Sequence, residues 1–143
     1  MLVCTPALSP SNLGCVGTII RYNLSVNDGA ITNTFAIWGP CEDTWIYNNS
    51  IYTDSSFNIP FLYYGDWNGW ASGTHYRNNI ICTEGSYRFS FGSSSDNTFS
   101  DNLWSGKFID PPTEVGVRIP GSQFPVPGSR FRKEVNNEQC IVS

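Results

Sequence analysis

Two alternating runs flank an Asn-Asp-Gly turn between residues 16 and 38, and they leave little room for a helical fold. In "VGTIIRYNLSV" (16 to 26), Ile20, Tyr22, Leu24 and Val26 fall on one face of an extended chain, and Arg21, Asn23 and Ser25 fall on the other. In "AITNTFAIW" (30 to 38), Ile31, Phe35 and Ile37 repeat the pattern. A period of two marks strands with one buried face. Asn and Gly between them tolerate the positive φ of a tight turn, so the pair predicts a β-hairpin.

The rest of the chain continues in the same way. "GPCED" (39 to 43) breaks it, and short strands at 44 to 47 and 51 to 53 flank "NNS" as a second hairpin. Residues 57 to 64 are strand-like, although Pro60 donates no hydrogen bond and so points to an edge or a bulge. Further strands are expected at 75 to 83, 86 to 91, 103 to 109, 114 to 119, 130 to 135 and 140 to 142. No window of helical length shows a 3.6-residue apolar period, and no internal repeat of fixed period is seen. Gly, Asn and Ser disfavour helices and favour turns. Strands at intervals of 8 to 12 residues predict an all-β fold, a single antiparallel β-sandwich or jelly-roll-like domain. The Pro/Gly-rich ends read as extended N- and C-terminal arms. The organisation expected is an arm at 1–15, a sandwich at 16–119, and a Pro/Gly connector with a C-terminal strand segment at 120–143.

The densest aromatic run is "YYGDWNGWASGTHY" (63 to 76). Asn68-Gly69 is a turn dipeptide, so the first reading is an aromatic hairpin stabilised by cross-strand ring pairs. The second is a protein–protein anchor, because Trp and Tyr dominate interface hot spots. The third is a sugar platform. The binding residues these readings share are Tyr63, Tyr64, Asp66, Trp67, Asn68, Trp70 and Tyr76.

Catalytic and metal-binding patterns are missing from the sequence. His75 is the only histidine and has no second His or paired Cys for zinc. Asp96, Asn97, Asp101 and Asn102 supply oxygens, but their spacing departs from a calcium loop. Asp66 and Glu84 could be named as a carboxylate pair, though nothing in their spacing selects them for glycoside cleavage. No nucleophile elbow, phosphate loop or dinucleotide fingerprint occurs. The expectation is a non-enzyme with no cofactor and no metal.

A net charge of −4 and one small basic cluster, Arg130, Arg132 and Lys133, do not make a nucleic-acid footprint. No apolar run approaches membrane-spanning length, and "MLVCTPALSP" lacks the basic and apolar regions of a secretory signal. Five cysteines, Cys4, Cys15, Cys41, Cys82 and Cys140, cannot all pair within one chain. Without a leader, reduced and buried thiols are expected.

Few charges (14%), many aromatics (15%) and Pro/Gly-rich ends make the chain similar to small all-β virion components such as capsid decoration proteins and phage tail or fibre subunits. That resemblance implies a structural assembly protein, made in the host cytoplasm and built into a virion. Its partners would be other virion proteins and copies of itself. The alternatives are a carbohydrate-binding β-sandwich that holds a glycan on the 63 to 76 loop, and a secreted, disulfide-bonded extracellular structural protein.

Overall fold

The computed structural model describes residues 15–28, 33–56, 60–113 and 115. They form ten strands and no helix: β1 (Ile19–Arg21), β2 (Leu24–Val26), β3 (Phe35–Trp38), β4 (Glu42–Tyr47), β5 (Ser50–Thr53), β6 (Pro60–Gly65), β7 (Ser72–Arg77), β8 (Ile80–Ser90), β9 (Thr98–Ser100) and β10 (Leu103–Ile109). Every paired strand runs parallel to its partner. One sheet has the order β1-β4-β7-β9. A second, curled sheet has the order β2-β5-β8-β6-β3, with β10 added to β8.

This overturns the antiparallel sandwich or jelly roll expected from the alternation. Strands consecutive in sequence mostly lie in different sheets or on different stretches of the curled sheet. Each pairs with its counterpart one circuit later: Ile20 with Ile46, Ile46 with Tyr76, and Tyr76 with Phe99. The described residues therefore form a β-solenoid whose successive coils stack along one axis, each contacting its neighbours.

The reason lies at the corners. A two-residue type I′ hairpin needs positive φ at both central residues. In "NNS" only Asn48 has it, at 55°, and Asn49 returns to ordinary backbone. One left-handed residue turns the chain into the next sheet without reversing it. The same device recurs at Tyr22 (56°), Asn78 (51°) and Asp101 (56°). A second row of left-handed corners sits five residues earlier, at Gly17, Asp43, Gly73 and Asp96. Between the two rows runs one strand of the first sheet.

After each corner of the later row stands an asparagine, and these four form a ladder. Asn23 Nδ2 donates to Asn49 Oδ1 (2.9 Å), Asn49 Nδ2 to Asn79 Oδ1 (2.9 Å), and Asn79 Nδ2 to Asn102 Oδ1 (2.8 Å). Each accepting oxygen also takes the backbone N–H of the preceding Asn. The inner amides tie back to strand carbonyls as well, at Ile20, Ile46 and Tyr76. Buried polar groups must be paired, and the ladder pairs the backbone at corners where the sheet hydrogen bonds stop.

Inside the coils, side chains stack on like neighbours. Ile51, Ile81 and Trp104 share one interior row, and Phe35, Leu62 and Phe89 another. Phe61, fully buried, touches the rings of Phe35, Tyr87, Phe89 and Trp104. The Tyr76 and Phe99 rings are stacked, with centroids 4.5 Å apart and planes nearly parallel. Pro60 begins β6 beside a register shift against β8, as a bulge requires, although β6 is an interior strand. β10 kinks at Gly106, opposite the extra residues Thr83 to Gly85 of β8. Its φ is 122°, and a Cβ there would come within 2.1 Å of the Thr83 carbonyl oxygen.

The arm at 1–15, except Cys15, and the connector at 120–143 lie outside the described residues. So do the expected strands at 130 to 135 and 140 to 142. Of the strand expected at 114 to 119, Val115 makes a parallel bridge to Ser100. Cys41 is buried and its thiol donates to the Trp38 carbonyl at 3.5 Å. Cys82 departs from the expectation of reduced thiols, because it is disulfide-bonded.

Candidate functional site

The coil geometry splits the 63 to 76 run in two. In β6, Tyr64 turns inward, while Tyr63 faces out. In β7, Tyr76 turns inward. The two buried phenols meet at 3.2 Å, and Tyr64 also donates to Asn97 Oδ1 at 3.1 Å. Burial pushes the Tyr64 hydroxyl up to about 12, and burial together with the neighbouring Tyr64 raises Tyr76 well above its ordinary value. Both are core residues, and neither can reach a ligand outside the coil.

Of the other five members of the run, only Trp70 packs against the core. Asp66, Trp67 and Asn68 are exposed, Trp67 at 49%, and Tyr63 and Trp70 are partly covered. Asp66 Oδ1 accepts the Gly69 N–H at 3.1 Å, and Trp67 N–H reaches the Gly69 carbonyl. Asn68 and Gly69 both take positive φ, 60° and 135°, so this is a true tight turn. It is not a hairpin, because β6 and β7 belong to different sheets.

Neighbouring coils add a residue that the sequence reading missed. Trp38 pairs in register with Gly65, one coil on. A Cβ on Gly65 would sit 2.4, 2.6 and 2.7 Å from three atoms of the Trp38 six-membered ring. Similar distances to three adjacent ring atoms place the glycine beneath the indole, with the ring laid across the neighbouring strand. Trp70 also crowds a glycine, Gly92, with ring atoms 2.0, 2.3 and 3.0 Å from the Cβ position, nearer one edge of the ring. Tyr63 packs beside Trp38 at 5.3 Å. Pro40 lies against Gly69, 3.5 Å from its Cβ position, and so brings the two turns together. Trp38, Tyr63 and the turn that carries Asp66 and Trp67 are thereby neighbours on the surface, while Trp70 is partly buried and packs against the core.

The outward side of the first sheet holds the remaining candidates. His75 stacks on Trp45 at 4.3 Å, its Nδ1 lies 2.7 Å from Thr98 Oγ1, and its Nε2 lies 3.8 Å from Asp43. Trp45 gives its indole N–H to Asp43 at 2.8 Å. These rings stack across adjacent strands, which is how a parallel ladder is stabilised. Asp96 and Asp101 occupy the two corners flanking β9, while Asn97 hydrogen-bonds Tyr64 and Asn102 belongs to the ladder. The four oxygens therefore do not converge, and no cluster of three His, Cys, Asp or Glu suited to a metal occurs among the described residues. Glu84 accepts the Tyr52 hydroxyl at 2.7 Å on the curled sheet, away from the Asp66 turn. Among the described residues no helix is long and apolar enough to cross a membrane.

No known protein family, curated protein or solved structure matches the chain.

Proposed function

We propose that the chain is a non-enzymatic structural subunit that works by protein–protein contact, in the manner of a virion component, and that copies of itself are among its partners. The observation that carries this reading is the state of the first coil. Its strands β1, β2 and β3 are each paired on one side only among the described residues. Exposed apolar side chains concentrate there, with Val16, Ile19, Tyr22, Leu24 and Val26 all more than half exposed. At the same end opens a groove of about 330 Å³, lined by Ile20, Ser25, Thr34, Phe35, Asn49 and Ile51. Asn23 heads the ladder there, and its Oδ1 has no Asn of an earlier coil to accept from among the described residues.

An unpaired edge beside exposed apolar side chains is a template for another chain. An assembly covers it. The test is light scattering coupled to size-exclusion chromatography on the purified protein, over a range of concentrations. Association is expected, and Leu24→Arg with Val26→Arg should abolish it, since both side chains are exposed and their loss leaves the core intact. A protein that stays monomeric at every concentration refutes self-assembly. So does association that the two arginines leave unchanged.

A further inference from the structure

We infer that the surface formed by Trp38, Tyr63 and Trp67 is a binding site for a neutral saccharide. This goes beyond assembly, and it rests on different residues from those of the first-coil edge.

The argument starts from the glycines. At Gly65 a side chain would collide with Trp38, and at Gly92 one would collide with Trp70. Gly65 lies one coil beyond Trp38, so that indole rests on backbone, with the Tyr63 ring beside it at 5.3 Å. Trp45 supplies the contrast, since its ring meets the His75 ring of the neighbouring strand, tilted by 37°. A ring lying on a glycine is a fixed, flat, apolar tile. Pyranose rings offer C–H groups with slight positive charge, and these fit the negative face of an aromatic ring. Hydroxyls around the sugar need donors and acceptors, and the exposed Asp66 and Asn68 stand in the turn beside Trp67. That turn is held by its own hydrogen bonds and by Pro40, so little order is lost when a ligand binds.

Charge narrows the ligand class. The exposed ionised group in the turn beside Trp67 is the Asp66 carboxylate, which repels a phosphate or sulfate there, while Arg88 lies further along the outer side of the neighbouring strand. A protein partner is the competing occupant of an aromatic surface, and the experiment separates the two.

The protein would be run through native gels containing hydroxyethylcellulose, xylan, galactomannan, dextran or soluble starch, with hyaluronate as the anionic control. Retardation is expected in at least one neutral gel. Trp67→Ala, at an exposed position that leaves the fold intact, should weaken it about tenfold, the usual effect of losing an aromatic anchor. Trp67→Phe should keep most of it. Gly65→Ala should also weaken it, because the new methyl lifts Trp38 from its seat without removing any ligand contact. A wild-type protein unretarded in every neutral gel overturns the inference and leaves the surface to a protein partner. Retardation confined to hyaluronate overturns it too, as does retardation that survives both Trp67→Ala and Gly65→Ala. Loss of self-association in the scattering experiment would leave this result untouched.

Discussion

Replacing Asn79 by alanine tests whether the ladder holds the coils together. The Asn79 side chain makes four hydrogen bonds. Its Nδ2 donates to Asn102 Oδ1 at 2.8 Å and to the Ile46 carbonyl at 2.9 Å. Its Oδ1 accepts from the backbone N–H of Asn49 at 3.1 Å and from Asn49 Nδ2 at 2.9 Å. Alanine removes all four and leaves the Asn49 N–H and the Ile46 carbonyl in a buried corner, where Asn49 and Asn79 are each 2% exposed. A typical bond contributes about 1 kcal/mol net, and an orphaned buried group costs about 1–3 kcal/mol. The loss should come to about 3–5 kcal/mol. Asn23→Ala provides the control at the head of the ladder. It removes bonds to Asn49 Oδ1 and the Arg21 carbonyl at an exposed site, and Asn49 Oδ1 keeps the Asn23 backbone N–H. That should cost about 1 kcal/mol or less. Urea unfolding followed by tryptophan fluorescence gives the comparison. With a slope of about 2 kcal/mol per molar, the Asn79 variant should unfold about 1–2 M earlier than the Asn23 variant. Coincident midpoints would mean that the amide column only decorates coils held by apolar stacking.

Three further outcomes are expected. Tyr64 keeps its proton up to about 12 when folded, against 10.0 for an ordinary tyrosine, because burial disfavours the phenolate. Its contribution to stability is therefore complete below pH 10 and is lost as pH rises from 10 through 12, a total of about 3 kcal/mol; melting temperatures measured across that window should fall less steeply for Tyr64→Phe. Gly106→Ala should destabilise by about 3 kcal/mol or more, since φ is 122° and the Thr83 carbonyl lies in the way, whereas Gly17→Ala, with φ 69° and open space around it, should cost only about 1–2 kcal/mol of backbone strain. Chemical denaturation of both variants checks this, and equal costs would refute the crowding argument. Finally, Gly65→Ala and Trp38→Ala should be strongly non-additive in a double-mutant cycle, because the methyl hurts only while the indole is present; additive losses would show that the ring does not rest on the glycine.

Most strand positions were legible in the sequence and their partners were not; β9 (Thr98–Ser100) lies where no strand was expected, and the strand expected at 75 to 83 is broken at Asn78 between β7 and β8. Residues 103 to 109 form β10 as expected, and Phe35 and Ile37 turn inward as their alternation demands. Alternation reports that one face of a strand is buried, but says nothing of which strand lies beside it. Parallel sheets usually have both faces covered and read as continuous apolar runs, so alternation points to antiparallel pairing. A solenoid escapes that rule, because each sheet bends around its own core and leaves its outer face to water. The run from 16 to 26 misled for a related reason. A corner at Tyr22 divides it into β1 and β2, so Ile20 packs on the core while Tyr22, Leu24 and Val26 face outward on the first coil.

The repeat was hidden by its loops. Around each ladder asparagine stand related segments: "VGTIIRYNLS", "EDTWIYNNSI", "SGTHYRNNII" and "SDNTFSDNLW". Each has a left-handed corner at its second residue, another at its seventh and the ladder Asn at its eighth. The asparagines are separated by 26, 30 and 23 residues, so no fixed period emerges. The variation falls in the connections outside the constant five-residue step. The Asp-Asn pairs at 96 and 101, which look like oxygen donors for an ion, are the two corners of the fourth such segment. The aromatic surface was half legible for the same reason. Tyr63, Asp66, Trp67, Asn68 and Trp70 are neighbours in sequence and could be seen together. Trp38 joins them only because one coil places it on Gly65, and the signal that could have found it is the pairing of an outward tryptophan with a glycine one coil later. Function in such a chain is written between coils, so a residue's role follows from what lies one circuit away more than from what adjoins it in sequence.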